Sequence, residues 1–166
     1  LLPERFSGRA KRGGGVTLKY DERRIQCSSR HPQVDYSSYF MASPDPILAQ
    51  SAKEALLPLL AGKSDREIAN ALLKLLQFGV AYEVDQEQSG KESYMEPAQV
   101  LFYPAADCED KEALFAQLFR LFSNAPLQAI ANTLWPLLHL IEPPDPAQSL
   151  IMETIQLRTQ PISAPR

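Results

Sequence analysis

The chain is poor in glycine, with 7 residues in 166, and carries only 2 cysteines and 2 histidines. His31, His139, Cys27 and Cys108 are spread over more than 100 positions and lack the clustered spacing of a zinc site, so no metal is expected. The only glycine cluster, Gly13-Gly14-Gly15, precedes a predicted strand instead of joining a strand to a helix. That placement excludes a P-loop and a dinucleotide fingerprint, and no cofactor is expected. No apolar run approaches the roughly 20 residues of a membrane-crossing helix, so no membrane span is expected. Leu1-Leu2-Pro3 is followed at once by Glu4 and Arg5, without the apolar segment of a signal peptide. The missing initiator methionine predicts that the true start lies upstream, and two cysteines do not fix the compartment.

What is present suits one domain with a hydrophobic core: 45% of residues are apolar and 22% charged. The net charge of −3 conceals an asymmetry, since residues 1–30 hold 8 of the 17 Lys and Arg. No aromatic interleaving or recognition motif accompanies that charge, so the basic arm reads as a tail and no nucleic-acid partner is expected. Proline is abundant, and 7 of the 14 lie between Pro126 and Pro165, where they interrupt every apolar run.

Val16, Leu18 and Tyr20 alternate with polar residues, and Ile25 and Cys27 continue the alternation, which predicts a short strand pair. Pro44-Asp45-Pro46 opens a helix through Ile47, Leu48, Leu56, Leu57, Leu59 and Leu60, with Pro58 expected to kink it before Gly62 ends it. Ser64-Asp65-Arg66-Glu67 has the spacing of a capping box, and the apolar stripe of Ile68, Leu72, Leu75 and Leu76 predicts a helix from about 65 to 79. Pro97 starts a short helix through Phe102. A third strong helix opens at Asp107-Cys108-Glu109-Asp110, with Asp107 as N-cap, Asp110 as its N3 acid and Ala113, Leu114, Leu118, Phe119, Leu121 and Phe122 as its buried face.

Cys108 in the first turn of that helix is the one residue whose position carries chemistry. Unpaired amides and the positive end of the helix dipole favour thiolate there, whereas the adjacent Glu109 and Asp110 oppose a further negative charge. The residues around it resemble those of a known family. Gln77-Phe78-Gly79-Val80-Ala81-Tyr82-Glu83-Val84-Asp85, and then Pro97 through Tyr103-Pro104-Ala105-Ala106-Asp107-Cys108-Glu109-Asp110-Lys111, resemble the front half of a transglutaminase-like cysteine peptidase domain. In that family a Y-x-x-D segment precedes a G-D-C-x-D-type turn. The nearest pattern is that of a bacterial subgroup, typical of the Bacteroidetes, whose motif reads D-C-E-D followed by a basic residue. Ala106 stands where the broader family has glycine.

The resemblance implies an α+β fold, mostly α in what is present, comprising the helical half of a papain/transglutaminase-like domain with the short N-terminal strand pair. It implies acyl transfer on a protein or peptide substrate, with Cys108 as nucleophile, a histidine as base and an amide donor for the oxyanion. His139, 31 residues beyond Cys108, has the order and distance of the base but not the family's sequence context. Gln77 is the candidate oxyanion donor by analogy with papain-like sites, against the plainer reading of a polar residue near a helix end. Tyr82, Asp85, Asp107 and Asp110 take structural parts in the motif. The expected organisation is a basic tail and strand pair over 1–33, the transglutaminase-like helical core over 34–122 and a proline-rich tail over 123–166. Because the tail stands where the family's histidine and Asp strands belong, the expectation is a domain incomplete at its start, with foreign sequence from about 123–126. The alternative is a non-catalytic helical protein-binding module.

Overall fold

The alternation of Val16, Leu18 and Tyr20 forms β1 (Val16–Asp21), with these three residues buried. The computed structural model describes residues 15–28, 34–83 and 94–126, and the backbone of 157–162. β1 pairs in parallel with that last segment, Leu157–Ile162, in a register running from Val16 opposite Leu157 to Asp21 opposite Ile162. The expected second strand through Ile25 and Cys27 is instead a helix, α1 (Glu22–Ser28). Asp21 Oδ1 accepts the Arg23 amide at 3.0 Å and turns the chain into that helix. Only Ile25 of α1 is buried and Cys27 is exposed, so the apparent alternation there had no second face to serve.

α2 (Tyr36–Met41) starts at Asp35, whose carboxylate accepts from the Ser37 amide at 3.1 Å. α3 (Pro46–Leu60) has Asp45 as its cap, accepting from the Ile47 and Leu48 amides at 2.8 and 3.1 Å, and Pro46 in the first turn, where its missing N–H costs nothing. Leu48, Ala52, Leu56 and Leu60 recur every fourth residue and form its buried stripe. Pro58 lies inside α3, and the helix runs on to Leu60. Gly62 then takes φ of +76°, the left-handed position just past a helix end that a side chain would strain. Ser51 joins α3 to β1: its hydroxyl accepts the Lys19 amide at 2.9 Å and so satisfies a donor of the strand.

α4 (Asp65–Gly79) begins at the predicted capping box, with the Ser64 amide donating to Glu67 Oε2 at 2.9 Å. It buries Ile68, Leu72, Leu75 and Leu76, as the stripe requires. Two short strands, β2 (Ala81–Tyr82) and β3 (Ala105–Ala106), pair in parallel and flank α5 (Pro97–Phe102). α6 (Cys108–Arg120) follows β3, and the Leu157–Ile162 strand completes the set as β4.

α6 is the centre of the packing. Every residue from Asp110 to Phe119 is buried, which no amphipathic surface helix achieves. Its buried polar groups are therefore tied to the segments around it. Asp110 accepts the Met95 amide at 2.7 Å, Lys111 donates to the Val80 carbonyl at 2.9 Å, and Glu112 accepts the Tyr36 hydroxyl at 2.9 Å. Gln117 reaches the Tyr39 carbonyl at 3.4 Å. Apolar residues from β1, α3, α4, α5 and α6 form one core cluster, from Leu18 and Leu48 to Leu114 and Phe119. The described chain is thus α+β and mostly helical, with six helices and few strands. Among the described residues, no helix is long and apolar enough to cross a membrane.

Candidate active site

Cys108 is the first residue of α6, half-buried, and its place follows from the two residues before it. Ala106 is fully buried in β3, and Asp107 caps the helix by accepting the Asp110 amide at 3.0 Å. Among the described residues, no non-glycine residue has positive φ, so the backbone at Ala106 does not require the glycine found in the broader family pattern. Asp110 keeps its carboxylate in the core on the Met95 amide. Both acids thus build the turn that presents the cysteine.

The pairing of β2 with β3 brings Tyr82 to this turn. Tyr82 lies opposite Ala106, and the Glu83 amide donates to the Ala106 carbonyl at 3.4 Å, which extends the ladder to the edge of the helix. Tyr82 itself is half exposed. One turn along α6, the Lys111 side chain is only 2% exposed, and its ammonium stands 5.5 Å from the centre of the Tyr82 ring.

These neighbours act on the thiol in opposite directions. Burial is the largest influence and pushes the Cys108 thiol up; the Tyr82 hydrogen bond draws it down, Asp107 and Glu112 raise it, and Lys111 lowers it. The net direction is upward, so Cys108 rests as a thiol at neutral pH, and the helix N-terminus does not by itself make it a thiolate. Lys111 is in turn pushed down by burial and held up by Cys108 and Asp107. Such a cysteine needs a base before it can attack a carbonyl.

Of the residues singled out in the sequence, Cys108, Tyr82, Asp107 and Asp110 come together at one end of α6. Gln77 lies part-buried in the last turn of α4, and among the described residues no hydrogen bond joins it to Cys108. His139, Asp85 and His31 lie outside the described residues. The sequence marked Lys111 only as the basic residue that follows the D-C-E-D motif, and it marked Tyr36 not at all. Among the described residues, Cys27 and Cys108 are not joined in a disulfide. Among the described residues, no three His, Cys, Asp or Glu side chains gather as metal ligands. Comparison with protein-family models, curated proteins and solved structures gives no match.

Proposed function

We propose that the chain carries a transglutaminase-like cysteine site that transfers or hydrolyses acyl groups of protein or peptide amides, with Cys108 as nucleophile. The observation that carries this reading is the placement of Cys108: first residue of the central helix, half-buried, beside the β2–β3 pair that sets Tyr82 opposite Ala106. In this reading His139 takes the thiol proton, and the sulfur adds to the amide carbonyl while the Gln77 amide faces the oxyanion. The amine leaves with that proton, and water or a second amine resolves the thioester. The helices are then the helical half of a papain/transglutaminase-like domain spanning 34–122.

The test is hydroxylamine trapping on a glutamine-containing peptide. Cys108-dependent hydroxamate, lost in Cys108→Ala and reduced at least about a hundredfold in His139→Ala, is the expected result. A folded chain that forms none overturns the reading. The alternative, a non-catalytic helical protein-binding module, is favoured by the burial that keeps Cys108 protonated.

A further inference from the structure

We infer that α2 is a strap that opens from α6 as one unit while the rest of the fold stays closed. This property is independent of the acyl-transfer reading. α2 has no buried residue, whereas α3 and α4 each bury a full apolar stripe. At six residues it is also far shorter than a helix that holds its shape in water without packing. What keeps α2 helical is its contact with α6, and that contact is polar. The Tyr36 hydroxyl lies 2.9 Å from Glu112 Oε2 and 3.3 Å from the Glu109 carbonyl. Gln117 donates to the Tyr39 carbonyl at 3.4 Å, and Arg120 donates to the Ala42 carbonyl at 3.3 Å. The Arg120 guanidinium also stands 5.6 Å from the centre of the Phe40 ring and 3.7 Å from the Met41 sulfur. Outside α6, the Tyr94 ring lies 5.3 Å from that of Tyr36, and Tyr94 precedes Met95, which Asp110 of α6 holds.

A polar seam opens at low cost, because water replaces each hydrogen bond that is lost. Parting an apolar stripe brings no such replacement. The α2–α6 seam is therefore where the fold opens before it unfolds. Tyr36 and Arg120 hold the two ends of α2, with no buried residue between them, so loss of either anchor leaves a helix too short to persist. The strap turns about residues 42–45, between its last residue and Pro46, where Asp45 fixes the start of α3. Opening gives water the flank of α6 that bears Glu112 and Gln117, which are 7% and 3% exposed when it is closed. The seam ends at Glu109, the residue directly after Cys108.

The experiment is amide hydrogen exchange of the full chain, followed by NMR at urea concentrations below the unfolding transition. The Ser38 amide donates to the Asp35 carbonyl at 2.9 Å and the Ala42 amide to the Ser38 carbonyl at 3.0 Å, so they report the two ends of α2. Both are expected to exchange at least about a hundredfold faster than the amides of 114–119 and with little dependence on urea, since the opening exposes little surface. Tyr36→Phe is expected to speed both by about tenfold and Arg120→Gln by about fivefold, each variant acting on the far end of α2 as well as the near one. Exchange of the α2 amides at the rate and urea slope of 114–119 in the parent chain overturns the inference, because α2 then opens only with the whole fold. Acceleration confined to the nearer amide in each variant also overturns it, because the ends then fray separately.

Discussion

The N-termini of α4 and α6 are built from the same signal and used in different ways. Each has a cap residue accepting from the third helical amide, Ser64 from Glu67 and Asp107 from Asp110, and each has an acid at that third position. In α4 the acid is Glu67, which folds back in solvent onto the Ser64 amide and hydroxyl at 2.9 and 2.6 Å. In α6 it is Asp110, one methylene shorter, 1% exposed and bonded to Met95, fifteen residues back along the chain. A cap in water ends a helix; the same cap in the core fixes a neighbouring segment and, between its two acids, presents Cys108.

The comparison breaks most sharply at Asp110. Asp110→Ala leaves the part-buried Met95 amide without its acceptor, and a loss of about 1–3 kcal/mol in urea unfolding is expected. Asp110→Asn retains an acceptor oxygen and should lose clearly less. Equal stability of Asp110→Ala and the parent chain would remove the distinction between the two helix starts.

A smaller effect is expected one turn along α6, where the Tyr36 hydroxyl donates to Glu112 at 2.9 Å and docks α2. Tyr36→Phe should cost about 1–2 kcal/mol. Burial first, and then the Glu112 charge, push the Tyr36 phenol well above its ordinary 10.0. The folded chain therefore keeps this proton at a pH where the unfolded chain has lost it. The contribution is complete below about pH 10 and lost as pH rises beyond it. Alkaline melting curves check the sign: the parent should lose stability above pH 10 more steeply than Tyr36→Phe, and parallel curves would contradict it.

What the sequence made legible follows the same division between local and distant. The starts of α4 and α6 could be read because a cap bonds only three residues ahead, Ser64 to Glu67 and Asp107 to Asp110, and that of α3 because Pro46 suits a first helical turn. α2 was not legible, because it has no buried residue and so leaves no apolar stripe. α1 was misread because one buried residue, Ile25, fits a period of two as well as 3.6. The β1–β4 and β2–β3 pairings join residues far apart in the chain, and nothing in either strand names its partner. The candidate site divides likewise. Cys108 at a helix start is local, but Tyr82 comes to its turn through β2–β3 pairing, and the burial of Lys111 depends on α6 being enclosed on all sides.

The smallest expected effect lies at the exposed end of the comparison, where the cap should act locally and do nothing more. Ser64→Ala removes the acceptor for the Glu67 amide and should cost about 1 kcal/mol, read as a lower thermal midpoint with Cys108 alkylation unchanged. The Ser64 hydroxyl, and then its amide, hold the Glu67 carboxyl below its ordinary value of 4.5. A carboxyl whose folded value is depressed stabilises above the unfolded value and loses that contribution as pH falls through the folded one. Melting midpoints between about pH 3 and 6 should thus fall more steeply in the parent than in Glu67→Gln, which keeps an oxygen for the Ser64 amide but does not titrate. A change in Cys108 reactivity in either variant would mean that the two helix ends are coupled, although Asp65 of α4 and Ser123, just past the end of α6, are joined at 2.6 Å at the opposite end of α6 from the thiol.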